Sequence, residues 1–142
     1  MHHIVYKSCA VGLPTIADLR RLLLQSSANN TRLGVTGLLL YAEGYYMQVL
    51  EGDATAVQNL YASIRADSRH TDVDTLSEGV IKERIFQNWA MAFQTLPGED
   101  FRRLTGYINA HRSRASDAYL PALDEEMLCL LKSFAVNADS LL

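Results

Sequence analysis

An α+β fold with the element order β-α-β-β-α-β-β follows from three observations. Residues 45–52 (Tyr-Tyr-Met-Gln-Val-Leu-Glu-Gly) alternate as a strand, with Tyr46, Gln48 and Leu50 on one face and Tyr45, Met47 and Val49 on the other. Both faces are apolar, so this strand belongs in the middle of a sheet. Val35 to Tyr41 is a second strand, joined to the first by the short loop Ala42-Glu43-Gly44, which makes the two an antiparallel hairpin. Two stretches with apolar residues at helical spacing complete the pattern, one before the hairpin and one after it. The order is that of a ferredoxin-like split motif with one strand added, giving a mixed five-stranded sheet.

The remaining elements follow from local chemistry. His3 to Ser8 is the first strand, with Ile4, Tyr6 and Ser8 on one face. After the Gly12-Leu13-Pro14 turn, Thr15 is a helix N-cap and Asp18 stands where a capping-box acid would. Ile16, Leu19, Leu22 and Leu23 form that helix's buried stripe, and Asn29 and Asn30 end it, since asparagine tolerates the backbone of a helix exit. Gly34-Val35-Thr36-Gly37 reads as a tight turn into the hairpin. Gly52-Asp53 starts a second helix whose stripe is Val57, Leu60, Tyr61 and Ile64, closing near 67–70. Val73 to Lys82 is a fourth strand interrupted by Asp, Ser, Glu and Gly, and Trp89 to Phe93 is a fifth, with Trp89, Met91 and Phe93 on one face. Both helices lie on one sheet face. C-terminal helices cover the other, through Phe101, Leu104 and Ile108 and then Met127, Leu130, Leu131 and Phe134 after an Asp124 cap, with His111 to Tyr119 as an exposed loop. Residues 1–95 form the main unit and 96–142 its cap.

Composition narrows the function classes. A chain of 142 residues is long enough for one domain with its own core, and 49% hydrophobic against 20% charged residues marks it as globular. The net charge of −3 argues against a nucleic-acid surface, which needs a clustered basic face. Cys9 and Cys129 form no CxxC, and His2, His3, His70 and His111 lack metal-ligand spacing. No run approaches the length of a membrane span, and the N-terminus has no signal-peptide pattern, so a cytoplasmic protein is expected.

No nucleophile–base pattern and no phosphate-binding glycine loop is present. Glu51 reads as a solvated strand end. What stands out is a set of uncharged polar residues on the helix-facing side: Tyr6 and Ser8, Asn29 and Asn30, and Gln48. A buried amide such as Gln48 costs about 1–3 kcal/mol for each unpaired group, so these residues need partners. A neighbouring side chain, a water or a bound ligand would serve; a flat heterocycle with carbonyls and ring nitrogens suits them better than a phosphate or a metal.

Five blocks then line up in order: Val5-Tyr6-x-Ser8; Asn29-Asn30-x3-Gly34-Val35-Thr36-Gly37-x-Leu39-Leu40-Tyr41; Gln48-x-Leu50-Glu51-Gly52; Asp67-x-Arg69-His70; and Arg84-x-Phe86-x2-Trp89-x-Met91. From the first strand to Phe93 the chain resembles a BLUF domain, the blue-light sensor that uses flavin, and the rest resembles the helical cap of short, stand-alone members. The resemblance implies a non-enzymatic photoreceptor binding FAD, or FMN in its place. It implies that Asn30, with Asn29 beside it, bonds the pyrimidine edge of the ring, that Gln48 bonds the N5 and O4 region, and that Tyr6 bonds Gln48. Arg69, Asp67 and His70 would line the polar edge or the ribityl chain, and Ser8 belongs to the same set. Trp89 and Met91 would relay the change outward to a downstream signalling protein or a second copy of the chain. Excited flavin is a strong oxidant; Tyr6 can give it an electron coupled to a proton, and the Gln48 amide can relay that proton and then rotate or tautomerise. One departure is Ser63, where several relatives carry a basic residue. The competing expectation is a ferredoxin-like binder or enzyme in which Tyr6, Asn30 and Gln48 grip another small molecule.

Overall fold

The computed structural model describes residues 1–87, 90–113 and 133. Among the described residues five strands and three helices follow one another: β1 (His2–Ala10), α1 (Ile16–Leu33), β2 (Thr36–Ala42), β3 (Tyr45–Gly52), α2 (Ala54–Arg65), β4 (His70–Val80), β5 (Ala92–Thr95) and α3 (Gly98–Ser113). The strands form one sheet in the order β4-β1-β3-β2-β5. β1 runs antiparallel to both neighbours and β2–β3 is an antiparallel hairpin, while β5 lies parallel to β2, so the sheet is mixed as expected.

The hairpin turn has positive φ at Glu43 (47°) and Gly44 (89°), the primed-turn geometry whose twist matches that of paired strands. Strand alternation sorts the side chains into two cores. On one face Ile4, Tyr6, Leu39, Tyr46 and Leu50 pack against Leu19 and Leu23 of α1 and Val57, Leu60 and Tyr61 of α2. On the other, Val5, Leu38, Leu40, Met47 and Val49 pack against Phe101, Leu104 and Ile108 of α3. β3 is buried on both faces from Tyr46 to Gly52. The second C-terminal helix and most of the loop expected before it fall outside the described residues; α3 itself runs on to Ser113.

α1 begins as its sequence indicates, with Thr15 and Asp18 closing a reciprocal capping box. Its end corrects the expectation. Asn29 and Asn30 lie inside the helix, which continues to Leu33 and stops at Gly34, a left-handed cap at φ 69°. The left-handed conformation favours glycine over any residue with a Cβ, so the helix runs on to the first one available. Asn30 therefore shares the buried face of α1 with Leu19 and Leu23. Gly34 to Gly37 is accordingly a helix cap followed by the start of β2, and no turn into the hairpin. Gly37 is required by close approach, since a Cβ there would lie 1.9 Å from the Val49 carbonyl oxygen.

Two further corrections concern the strand ends. The fifth strand starts at Ala92, so Met91 precedes it; Trp89 lies outside the described residues. Glu51 is no solvated end but 1% exposed, its carboxylate accepting from Thr36 Oγ1 and from the backbone N–H groups of Ile85 and Phe86. The sequence signal for a solvated Glu51 was its place near the end of β3; the segment after β4 folds back over that end.

Candidate flavin site

A cavity of about 630 Å³ opens between α1 and α2 above the sheet, within the usual range of small-molecule sites. Its floor is the middle of the sheet, with Tyr6 from β1, Leu39 from β2, and Tyr46 and Gln48 from β3. α1 contributes Leu22, Gln25, Asn29, Asn30 and Arg32, α2 contributes Leu60, Ser63 and Ile64, and the turn into β4 contributes Asp67, Arg69 and His70.

Tyr6 and Gln48 are register partners in the β1–β3 ladder, so their side chains emerge on the same face side by side. The Tyr6 hydroxyl donates to Gln48 Oε1. Burial pushes the phenol well above its ordinary pKa, with Tyr61, Tyr46 and Asp67 adding to the shift, so Tyr6 stays a donor at any physiological pH. Gln48 Nε2 donates in turn to Met91 Sδ at 3.6 Å. A primary amide carries two N–H donors, so one remains for a ligand.

Asn30 is buried, and its Nδ2 donates to the Ala90 carbonyl at 2.9 Å, leaving Oδ1 as the acceptor end. Asn29 sits one position round the helix, half-buried, with Oδ1 accepting from Arg32 at 2.6 Å. Ser8 does not line the cavity. It supports His70, whose Nε2 faces the Ile64 carbonyl and must donate to it. In the neutral ring Nδ1 is then an acceptor, taking the Ser8 hydroxyl proton at 2.8 Å.

At the mouth, the Arg69 guanidinium pairs with Asp67 at 2.6 Å and donates to Gln25 Oε1 on α1 at 2.9 Å, bridging the β4 entry to the first helix. Hydrogen bonds from Arg69 hold the Asp67 carboxyl below its ordinary pKa. Charge is thus gathered at the rim, and the interior is amide, phenol and aliphatic carbon. Such a lining fits a flat ring with a polar edge and an apolar edge. Among the described residues no group of His, Cys, Asp or Glu is placed to hold a metal ion, and no helix is long and apolar enough to cross a membrane.

Tyr61 of α2 packs beside Tyr6. Its ring lies 5.3 Å from that of Tyr6, and its hydroxyl meets Thr75 Oγ1. Its position on the α2 stripe marked it only as core.

Fold and cavity together define a small-molecule-binding domain of ferredoxin-like architecture, with a buried phenol–amide pair in the cavity floor. Residues 1–92 match the family model described as "BLUF: Sensors of blue-light using FAD", and the chain belongs to that family. It is 38% identical over 93 residues to the photoactivated adenylate cyclase subunit beta of Euglena longa, covering 65% of this chain and 11% of that one. The chain thus spans about a tenth of the length of the curated relatives it matches first. Among solved structures, the dark state of BlrB, a BLUF protein, superposes with a TM-score of 0.63 at 28% identity, over 78% of this chain and 82% of that one. A bacterial light-regulated adenylyl cyclase superposes at 0.65 and 29% identity, over 94% of this chain and 40% of that one. The chain is a blue-light photoreceptor that uses a flavin.

Proposed function

We propose that Tyr6 and Gln48 form the light-driven switch, that the flavin is FAD, and that the chain signals to a protein partner without catalysis of its own. The observation that carries this reading is the buried hydrogen bond from the Tyr6 hydroxyl to Gln48 Oε1 in the cavity floor. A bound flavin supplies blue-light absorption and, once excited, a strong one-electron oxidant. The rest falls to the chain's own residues. Tyr6, kept protonated by burial, has both an electron and a proton to give, and its proton departs along the bond to Gln48. An amide that gains a proton at oxygen can release one from nitrogen, so Gln48 relays the proton and then rotates or tautomerises. When electron and proton return to Tyr6, the lasting change is the exchange of donor and acceptor ends at Gln48.

Asn30 Oδ1 would accept from the pyrimidine edge of the ring, with Asn29 beside it. Arg69, Asp67 and His70 would border the polar edge or the ribityl chain. The family description favours FAD over FMN; Ser63 on the cavity wall offers a phosphate no positive charge, and Arg32 and Arg69 at the rim are the cations within reach. Chromatography of the flavin released by heat decides between the two.

The signal would leave through Met91, which already touches Gln48, and through Trp89, toward the far face where α3 packs on Leu38, Leu40 and Met47. Residues 1–95 would act as the sensor and 96–142 as the element that meets a cytoplasmic partner or a second copy of the chain. Unchanged hydrogen exchange in α3 between dark and light, with a normal photocycle, would end that route.

The decisive test of the switch is a blue-light difference spectrum. The expected result is a small, reversible red shift without bleaching. Cys9 lines a separate cavity on the α3 side with Tyr45 and Phe101. Bleaching to a thiol adduct that Cys9→Ala abolished would overturn the mechanism. A colourless protein that flavin cannot reconstitute would overturn the assignment of the cavity.

A further inference from the structure

The far face of the sheet holds a buried carboxylate that the light chemistry does not use. Glu51 is 1% exposed, and both of its oxygens accept hydrogen bonds: Oε1 from Thr36 Oγ1 at 2.9 Å and from Phe86 N at 2.6 Å, Oε2 from Ile85 N at 3.0 Å. No side-chain cation pairs with it among the described residues. Its donors are a hydroxyl on the neighbouring strand and two consecutive N–H groups of the segment that joins β4 to β5. Arg84 fastens the same segment to the same strands, reaching Thr36 Oγ1 at 3.0 Å, the Glu51 carbonyl at 3.3 Å and the Gly34 carbonyl at 2.7 Å.

The described residues of this segment lie on both faces of the sheet. Phe86, fully buried, packs into the core shared with α3. A few residues on, the Ala90 carbonyl accepts from Asn30 and Met91 Sδ accepts from Gln48, both on the cavity side. A carboxylate receiving backbone N–H bonds makes charge-assisted contacts, roughly twice as strong as neutral ones. Glu51 therefore holds the middle of a segment whose last residue, Met91, lies against the Gln48 amide.

We propose that Glu51 is a positioning residue of the light response: by holding Ile85 and Phe86 it seats Met91 against Gln48, and so sets how long the rearranged amide persists. The proposal rests on the assignment of Gln48 as the switch. A Gln48 amide packed against a fixed Met91 must displace it to turn back; one packed against a loose Met91 turns freely.

Glu51→Gln tests this with little change of shape. The amide converts one acceptor end into a donor, which then faces an N–H or hydroxyl that also donates, so at least one hydrogen bond is lost. Flavin-loaded wild type is measured first; absence of a reversible shift there ends the Gln48 reading, and this proposal with it, before any variant is examined. Given a normal wild type, the variant is expected to keep the light-induced shift and to recover in the dark roughly two- to tenfold faster, the range for loss of one hydrogen bond. Amide exchange should rise in residues 84–87 and 90–93 but not at Ile4–Tyr6. Arg84→Ala, which leaves the buried carboxylate intact, should reproduce both effects and guards against a misfolded Glu51 variant. Wild-type recovery in either folded variant, or exchange raised evenly across the sheet, would overturn the proposal.

Discussion

Tyr6 and Gln48 stand directly opposite each other on neighbouring inner strands, and the bond between their side chains joins the two ends of a single rung of the β1–β3 ladder. Neither can move without a neighbouring strand moving, because β1 is flanked by β4 and β3, and β3 by β1 and β2. The pair is preorganised by the sheet, with no need of a loop to close.

Tyr6→Phe is expected to bind flavin and lose the red shift. The ring packing against Tyr61 survives, and only the hydroxyl that donates to Gln48 is removed. Gln48→Leu should likewise bind and not switch. A normal photocycle in the Gln48 variant would move the switch elsewhere.

Asn30→Ala should weaken flavin binding by about 1–2 kcal/mol, the worth of one buried hydrogen bond to the ring together with loss of the contact to Ala90. Titration of the apoprotein with flavin, followed by fluorescence quenching, measures it. Equal affinity in variant and wild type would take Asn30 out of the site.

His3 should make the fold acid-sensitive. It is fully buried, with Nε2 against Ser77 Oγ at 3.1 Å and Nδ1 without a partner. Burial, reinforced by nearby His2, lowers its pKa from 6.5 to about 4. The unfolded chain then takes up a proton below about pH 6.5 that the folded chain refuses until about pH 4. Stability therefore falls as pH drops through that window, by at most about 3 kcal/mol. Urea midpoints at pH 7 and pH 5 should differ, and His3→Leu should narrow the difference. Parallel pH profiles in the two proteins would assign the sensitivity to other groups.

Gly37→Ala should destabilise by about 1–3 kcal/mol through overpacking, because the added methyl meets the Val49 backbone oxygen, which cannot rotate away. Thermal unfolding tests this directly. An unchanged melting temperature would mean that β2 and β3 separate more easily than their register suggests.

Much of this was legible in the chain before any coordinates. Alternation in β1 and β3 placed Tyr6 and Gln48 on the helix side, and it also placed Met47 and Val49 opposite them, because a period of two leaves no third choice. The amide–phenol–asparagine set was conspicuous since polar groups in a small core demand partners. The misses share one physical cause, which is that partners distant in sequence cannot be read from local pattern. Glu51 is satisfied by residues more than thirty positions away, and Asn30 by Ala90. Asn29 and Asn30 resemble a terminus through their own conformational tolerance, but Gly34, at φ 69°, is the stronger stop four residues on.

The thioether at Met91 has a consequence for direction. Sulfur is a weak acceptor, so the amide of Gln48 is anchored firmly at its oxygen and only lightly at its nitrogen. If Gln48 is the switch, such an arrangement is biased: the nitrogen end would yield first, and the vacated contact would be felt by a single side chain at the mouth of β5. A switch of that kind would need no large motion to begin signalling. It would need one soft neighbour that notices which end of an amide has turned toward it.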